Sequence, residues 1–271
     1  MRWLVAALGL GLGVAALIWF GQRSLIFFPD RADPGSVAER VQGGRDVTVR
    51  TSDGLDLRAW LLPPTGADRA LAVLYLPGNG GNRLGRQGAG EALAAEGFTV
   101  LLLDYRGYGG NPGSPGEEGL QRDAEAAVEY LGANGFPPGR TIYLGESIGT
   151  GVAAHLALTQ APAGVLLRSP YTSLPDVARS AYGVPLGWAM RDQFDTLSRM
   201  PQISSPVTVL YGESDTIIPP AQSQAVADAA ANLHEVHAVP GAGHNDPLWF
   251  GALLAERAAD LADAGRPAAG D

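Results

Sequence analysis

The chain has 271 residues, a formal net charge of -9 and no cysteine. Its dispersed acidic excess argues against nucleic acid as a partner, because phosphate binding needs a clustered basic face. The missing thiols exclude cysteine nucleophiles, disulfides and cysteine-ligated zinc. All 19 basic residues are arginine, which also excludes lysine Schiff bases and the phosphate-binding lysine of a P-loop.

Residues 3–20, WLVAALGLGLGVAALIWF, carry no charge and lie between Arg2 and Arg23. Eighteen such residues are enough to span a bilayer as a helix, with aromatics at both interfaces. A cleaved signal peptide is the competing reading, but the stretch ending IWFGQRS offers a poor cleavage point. The sequence therefore predicts a single-pass membrane anchor over 1–24 and one further domain over 25–271. With Arg2 beside the amino terminus, an extracytoplasmic domain is the favoured orientation.

A connector rich in Pro, Gly and Asp at 29–35 leads into alternating segments. Strands are predicted at 46–51, 55–62, 71–76, 98–103, 140–144, 164–168, 206–211 and 235–239. The runs LAVLYL, FTVLLL, TIYLG and GVLLR are almost wholly apolar, as strands buried on both faces must be. Helices are predicted at 86–96, 118–132, 148–160 and 221–231, with a last one near 250–264. Such alternation requires crossover connections and a mostly parallel eight-stranded sheet flanked by helices, an α/β fold. Ser-Asp-Gly at 52–54 predicts an antiparallel hairpin between the first two strands. The interval 170–205 has aromatics and prolines without one period, and is expected to form a small cap of short helices. The tail at 264–271 is expected to be disordered.

The strand TIYL runs directly into GESIG, and a helical pattern starts at once. G-x-S-x-G is weak evidence alone in a chain with 37 glycines. The strand-turn-helix setting is what gives it meaning, because a sharp bend there lifts the Ser147 hydroxyl above the sheet edge. A serine hydroxyl needs a base. Of four histidines, His155 lies inside a helix, and His234 and His237 begin a strand. His244 stands in a glycine-rich loop after the last strand, GAGHNDP, where it can face Ser147. Asp215, in GESDTIIPP, follows a buried strand. It is either a turn residue or the carboxylate that orients the base. The order Ser147, Asp215, His244 suits the second role. Oxyanion donors are expected from the amide of Ile148 at the helix start and from the glycine-rich loop LPGNGGN, with Asn79 first and Gly80 next.

The motifs LPGNGGN, LLLDYRGYGGNPGSPGEEGL, GESIGT, SPYTSL, GESDTIIP and GAGHNDP, with QRSLIFFP after an apolar segment, resemble the α/β-hydrolase fold family. Within it the likeness is to single-pass membrane serine hydrolases, the acyl-protein thioesterase and lysophospholipid lipase branch. The chain departs at Pro77-Gly78, where relatives carry His-Gly. The resemblance implies a serine esterase or thioesterase using Ser147, Asp215 and His244, with no organic cofactor and no metal. It also implies a small-molecule or lipid acyl ester as substrate. An amidase or peptidase, a perhydrolase, and a non-catalytic membrane-tethered binding protein remain open on the same residues. Asp104, Arg106 and Tyr108 are read as a structural ion pair beneath the site, and Asp246 as a turn residue or a supporting partner.

Overall fold

The computed structural model describes Trp19 and residues 21–183 and 187–264. Eight strands form one sheet: β1 (Arg45–Arg50), β2 (Asp56–Leu62), β3 (Ala72–Leu76), β4 (Thr99–Leu103), β5 (Thr141–Glu146), β6 (Gly164–Arg168), β7 (Val207–Gly212) and β8 (Leu233–Val239). Among the described residues these helices accompany them: α1 (Gln87–Ala95), α2 (Glu117–Ala133), α3 (Ile148–Thr159), α4 (Leu174–Tyr182), α5 (Pro220–Asp228) and α6 (Ala252–Ala264).

The strand order is β8-β7-β6-β5-β3-β4-β2-β1. From β4 to β8 neighbouring strands are parallel, whereas β2 runs antiparallel to both β4 and β1. The sheet is thus mixed, with the antiparallel hairpin at one edge. Every residue of β3, β4, β5, β6 and β7 is buried, which explains their continuous apolar runs. Side chains of α2 and α3, among them Leu120, Val128, Leu131, Val152 and Leu156, cover one face. Leu93 of α1 and Leu254 and Leu261 of α6 cover the other, together with Trp60 and Trp249. At roughly 1.5–3 kcal/mol for each fully buried Val or Leu, these two apolar layers dominate the folding energy.

Between β6 and β7 the chain forms α4 and two single-turn 3-10 segments, Gly187–Ala189 and Met200–Gln202. Helix α4 starts on Ser173, whose Oγ accepts from the Asp176 amide, and stops at Gly183 with φ 71°. None of its residues is fully buried.

At the other end of the chain, residues 21–26 are helical and Phe28–Pro29 pair in parallel with Gly80–Gly81. The membrane span expected over 3–20 lies outside the described residues, apart from Trp19. Among the described residues no helix is long and apolar enough to cross a membrane. Helix α6 runs through Ala264, and the rest of the tail expected at 264–271 lies outside the described residues. Asp104 and Arg106 do not pair with each other. Asp104 binds Arg83 at 2.6 Å, and Arg106 binds Asp53 and Asp123, each at 2.7 Å. Each charge thus finds its partner on another segment of the chain.

Candidate active site

Ser147 lies between β5 and α3, as the residue that precedes the helix, with φ 51° and ψ -117°, a region that non-glycine residues enter only under strain. The surrounding contacts hold it there. Its amide donates to the Arg168 carbonyl at 2.9 Å, and its carbonyl accepts from the amide and hydroxyl of Thr150 at 2.8 and 2.7 Å. The flanking glycines are required by close approach. A Cβ on Gly149 would lie 2.1 Å from the Leu76 carbonyl oxygen, and one on Gly145 would lie 2.6 Å from the Gly149 oxygen.

Three residues far apart in sequence converge here. Ser147 Oγ lies 3.1 Å from His244 Nε2, and His244 Nδ1 lies 2.7 Å from Asp215 Oδ2. Asp215 Oδ1 accepts from the amides of Ile217 and Ile218 at 2.9 and 2.8 Å. Burial opposes ionisation of Asp215, but the hydrogen bond and charge of His244 and the two amides hold its pKa below the ordinary aspartate range. An ionised Asp215 fixes the tautomer with the proton on Nδ1, leaving Nε2 free to accept from the Ser147 hydroxyl. His244 is itself pinned: Arg168 Nη1 donates to its carbonyl at 2.8 Å, and Trp249 Nε1 donates to the neighbouring Gly243 carbonyl at 2.8 Å.

The other histidines play no part in this geometry. His155 faces Glu125 at 3.6 Å, and His237 faces Glu235 at 3.7 Å. Asp246 caps the 3-10 turn Pro247–Phe250, accepting from the Leu248 amide.

The loop after β3 brings Asn79 to the same cavity as Ser147 and Ile148. Ile148 is the first residue of α3, so its amide has no intrahelical acceptor. Among the described residues, no carbonyl or side chain accepts from the Asn79 amide. The Asn79 carbonyl is fixed by Tyr108 Oη at 2.9 Å and by the Phe28 amide at 2.8 Å, and its side chain donates to the Ile26 carbonyl at 2.7 Å. Tyr108 and the segment 26–28 thus support this loop.

Sequence reasoning missed the group that ties these parts together. Glu146, beside Ser147, is buried and accepts from Tyr75 Oη at 2.8 Å and from Arg86 Nη2 at 2.8 Å, with Arg168 Nη2 at 2.9 Å. Arg86 also donates to the Gly80 carbonyl at 2.7 Å. One carboxylate therefore links the serine turn, the Asn79 loop through Arg86, and the His244 loop through Arg168. Burial alone would raise the Glu146 pKa, yet Arg86 and Arg168 outweigh it and hold it at about 2. The available signal was an arginine or glutamate closing an otherwise apolar strand, as in GVLLR and TIYLGE. Such a charge must find a partner.

Two cavities meet at Ser147. One, of about 430 Å³, is walled by apolar groups including Leu25, Ile26, Leu174, Val177 and Ile218. The other, of about 300 Å³, is lined by polar groups including Asn79, Gly80, His244 and Asn245. Phe28 and Ile217 border both. Among the described residues, no group of three or more His, Asp or Glu side chains could hold a metal ion. Chemically the site offers a hydroxyl, a proton acceptor aligned on it, and two amides near the same space.

Residues 72–170 match the family model described as the alpha/beta hydrolase fold. An uncharacterized protein of Mycobacterium tuberculosis is 44% identical over 237 residues, covering 87% of this chain and 84% of that protein. A lysophosphatidylserine lipase of Danio rerio is 31% identical over 236 residues, covering 71% of this chain and 61% of the lipase. Among solved structures, an esterase of Pyrococcus furiosus superposes with a TM-score of 0.70 at 20% identity, covering 88% of this chain and 98% of the esterase. An alpha-beta hydrolase of Vibrio vulnificus gives 0.71 at 21% identity, covering 92% and 91%.

Proposed function

Because the chain belongs to the α/β-hydrolase fold family, we propose that it cleaves carboxylic esters or thioesters of acyl lipids or acylated substrates through an acyl-enzyme on Ser147. The observation that carries this reading is the continuous line Asp215–His244–Ser147, with separations of 2.7 and 3.1 Å.

In the first step Ser147 Oγ attacks the acyl carbonyl while His244 Nε2 takes its proton, and Asp215 stabilises the imidazolium. The amides of Asn79 and Ile148 hold the oxyanion, a contribution of roughly 3 kcal/mol for each donor in comparable sites. Collapse of the intermediate expels the alcohol or thiol, which receives the proton from His244. Water, activated by the same imidazole, then releases the acid and restores Ser147. The apolar cavity takes the acyl chain, and the polar cavity beside His244 takes the leaving group. This division suits His244, which must protonate the departing atom.

The uncharged run at 3–20 supports a membrane-tethered enzyme, and Arg2 beside the amino terminus favours a domain outside the cytoplasm. Reporter fusions on either side of that run test the orientation. Labelling by a fluorophosphonate probe tests the chemistry. The wild type is expected to label and Ser147→Ala is not. Equal labelling of both, or of neither, refutes the mechanism.

A further inference from the structure

Residues 22–28 touch three parts of the site, although they stand at the far end of the chain from most of them. Leu25, Ile26 and Phe28 line the apolar cavity together with Ser147 and Ile148. Phe28 and Ile26 fix Asn79 through the hydrogen bonds described above. Arg23 grips the segment between β6 and β7: its Nε and Nη2 each donate to one oxygen of Asp192 at 2.8 Å. Asp192 is 1% exposed and also accepts from the Glu117 amide at 2.9 Å. The Arg23 guanidinium passes over Gly116, where a Cβ would come within 2.4 Å of it.

Neighbouring contacts repeat the attachment. Gln22 accepts from the Arg191 amide at 2.7 Å, and Phe27 meets Phe194 edge-on with centroids 6.5 Å apart. The lining of the same cavity also includes Leu174, Val177 and Ala181 of α4, which has no fully buried residue and so no deep anchorage of its own.

We infer that residues 22–28 form a strap, latched to the α4 segment by Arg23–Asp192, that sets the acyl-chain length the cavity accepts. The inference rests on the acyl-transfer reading above and extends it to substrate selection. An acetyl group reaches only Ser147 and its immediate neighbours. A long chain must run between Leu25 and α4, and each CH2 buried there is worth about fourfold in binding. Releasing Arg23 strips buried Asp192 of its counter-charge and parts the two walls, so the penalty grows with chain length. Arg23 is thus a positioning residue, and Leu25 and Phe28 are contact residues.

The test uses the full chain in detergent, with dansylundecanoic acid as a binding probe and p-nitrophenyl acetate, octanoate and laurate as substrates. Arg23→Gln is expected to weaken probe binding and to lower the laurate-to-acetate ratio of kcat/KM, each by roughly tenfold. Arg23→Lys, which keeps the charge but loses the two-pronged grip, is expected to recover part of both. Leu25→Ala trims a largely exposed side chain outside the latch and is expected to lower the same ratio by roughly threefold. It decides the matter if Arg23→Gln fails to fold. Probe affinity and ratio within about twofold of wild type in these variants overturn the inference, as does an equal fall for acetate and laurate. A wild type that binds the probe but cleaves no ester refutes the hydrolase reading, and the probe affinities then decide the strap.

Discussion

On the sheet side of Ser147, the polar side chains of Tyr75, Arg86, Glu146 and Arg168 meet in a buried cluster with short, mutual hydrogen bonds. On the opposite side, α4 buries none of its residues fully, and Tyr182 and Trp188 are 71% and 87% exposed. The first wall holds the Ser147 turn, and in the proposed reading the second receives substrate. The contrast shows where this chain spends rigidity. A charge cluster in a low-dielectric interior is costly unless every member is matched, so its geometry cannot drift. An apolar wall attached by a latch can change its residues without disturbing the chemistry.

Substitutions rank themselves along this contrast. Asp215→Asn keeps the shape but lets the imidazole carry its proton on the wrong nitrogen, and kcat is expected to fall by about 10⁴-fold in ester hydrolysis. Glu146→Gln removes the countercharge of two buried arginines. It is expected to cost roughly 3–5 kcal/mol of stability and to lower Tm by roughly 10 °C in a thermal melt. Ser173→Ala deletes the cap of α4 and is expected to cost about 1 kcal/mol, a shift of roughly 2–4 °C. Trp188→Ser is expected to leave stability within about 0.5 kcal/mol, as for other exposed positions. If Glu146→Gln melts no earlier than Ser173→Ala, the two walls do not differ in the way described.

The same contrast has a pH signature. Glu146 is held at about 2 against an ordinary 4.5. A carboxylate depressed by folding stabilises the native state above its unfolded pKa, and that contribution is lost as pH falls from about 4.5 toward 2. The wild type should therefore lose stability more steeply than Glu146→Gln in this window, measured as denaturation midpoints across pH. Parallel curves would mean that Glu146 carries no buried charge.

Much of this was legible in the chain. TIYL followed by GESIG specified a strand, a turn and a helix, and Gly145 and Gly149 lie where the backbone leaves no room for a Cβ. Asp215 and His244 were readable because each follows a strand in a loop with turn chemistry, Asp215 after buried β7 and His244 after the partly exposed β8. Apart from Trp19, the uncharged run at 3–20 lies outside the described residues, and its reading as a membrane span stays an expectation. Glu146 was not legible as a hub. Its partners Arg86 and Arg168 stand 60 and 22 positions away, and periodicity carries no information about which distant charges pair. The strap was hidden for a different reason: Phe28–Pro29 and Gly80–Gly81 are two residues each, too short for any alternation to register. The positive φ of Phe194 was equally silent, since nothing local distinguishes it.

Trapping the acyl group on the protein tests acyl transfer most directly. Trypsin, cutting after Arg140 and Arg168, yields a peptide over 141–168 in which Ser147 is the sole serine. After a brief reaction with p-nitrophenyl octanoate and acid quench, that peptide should gain one octanoyl group on Ser147, at a level reduced at least about 1,000-fold in His244→Ala. An octanoyl group on another residue, or turnover with no adduct at any quench time, would contradict it.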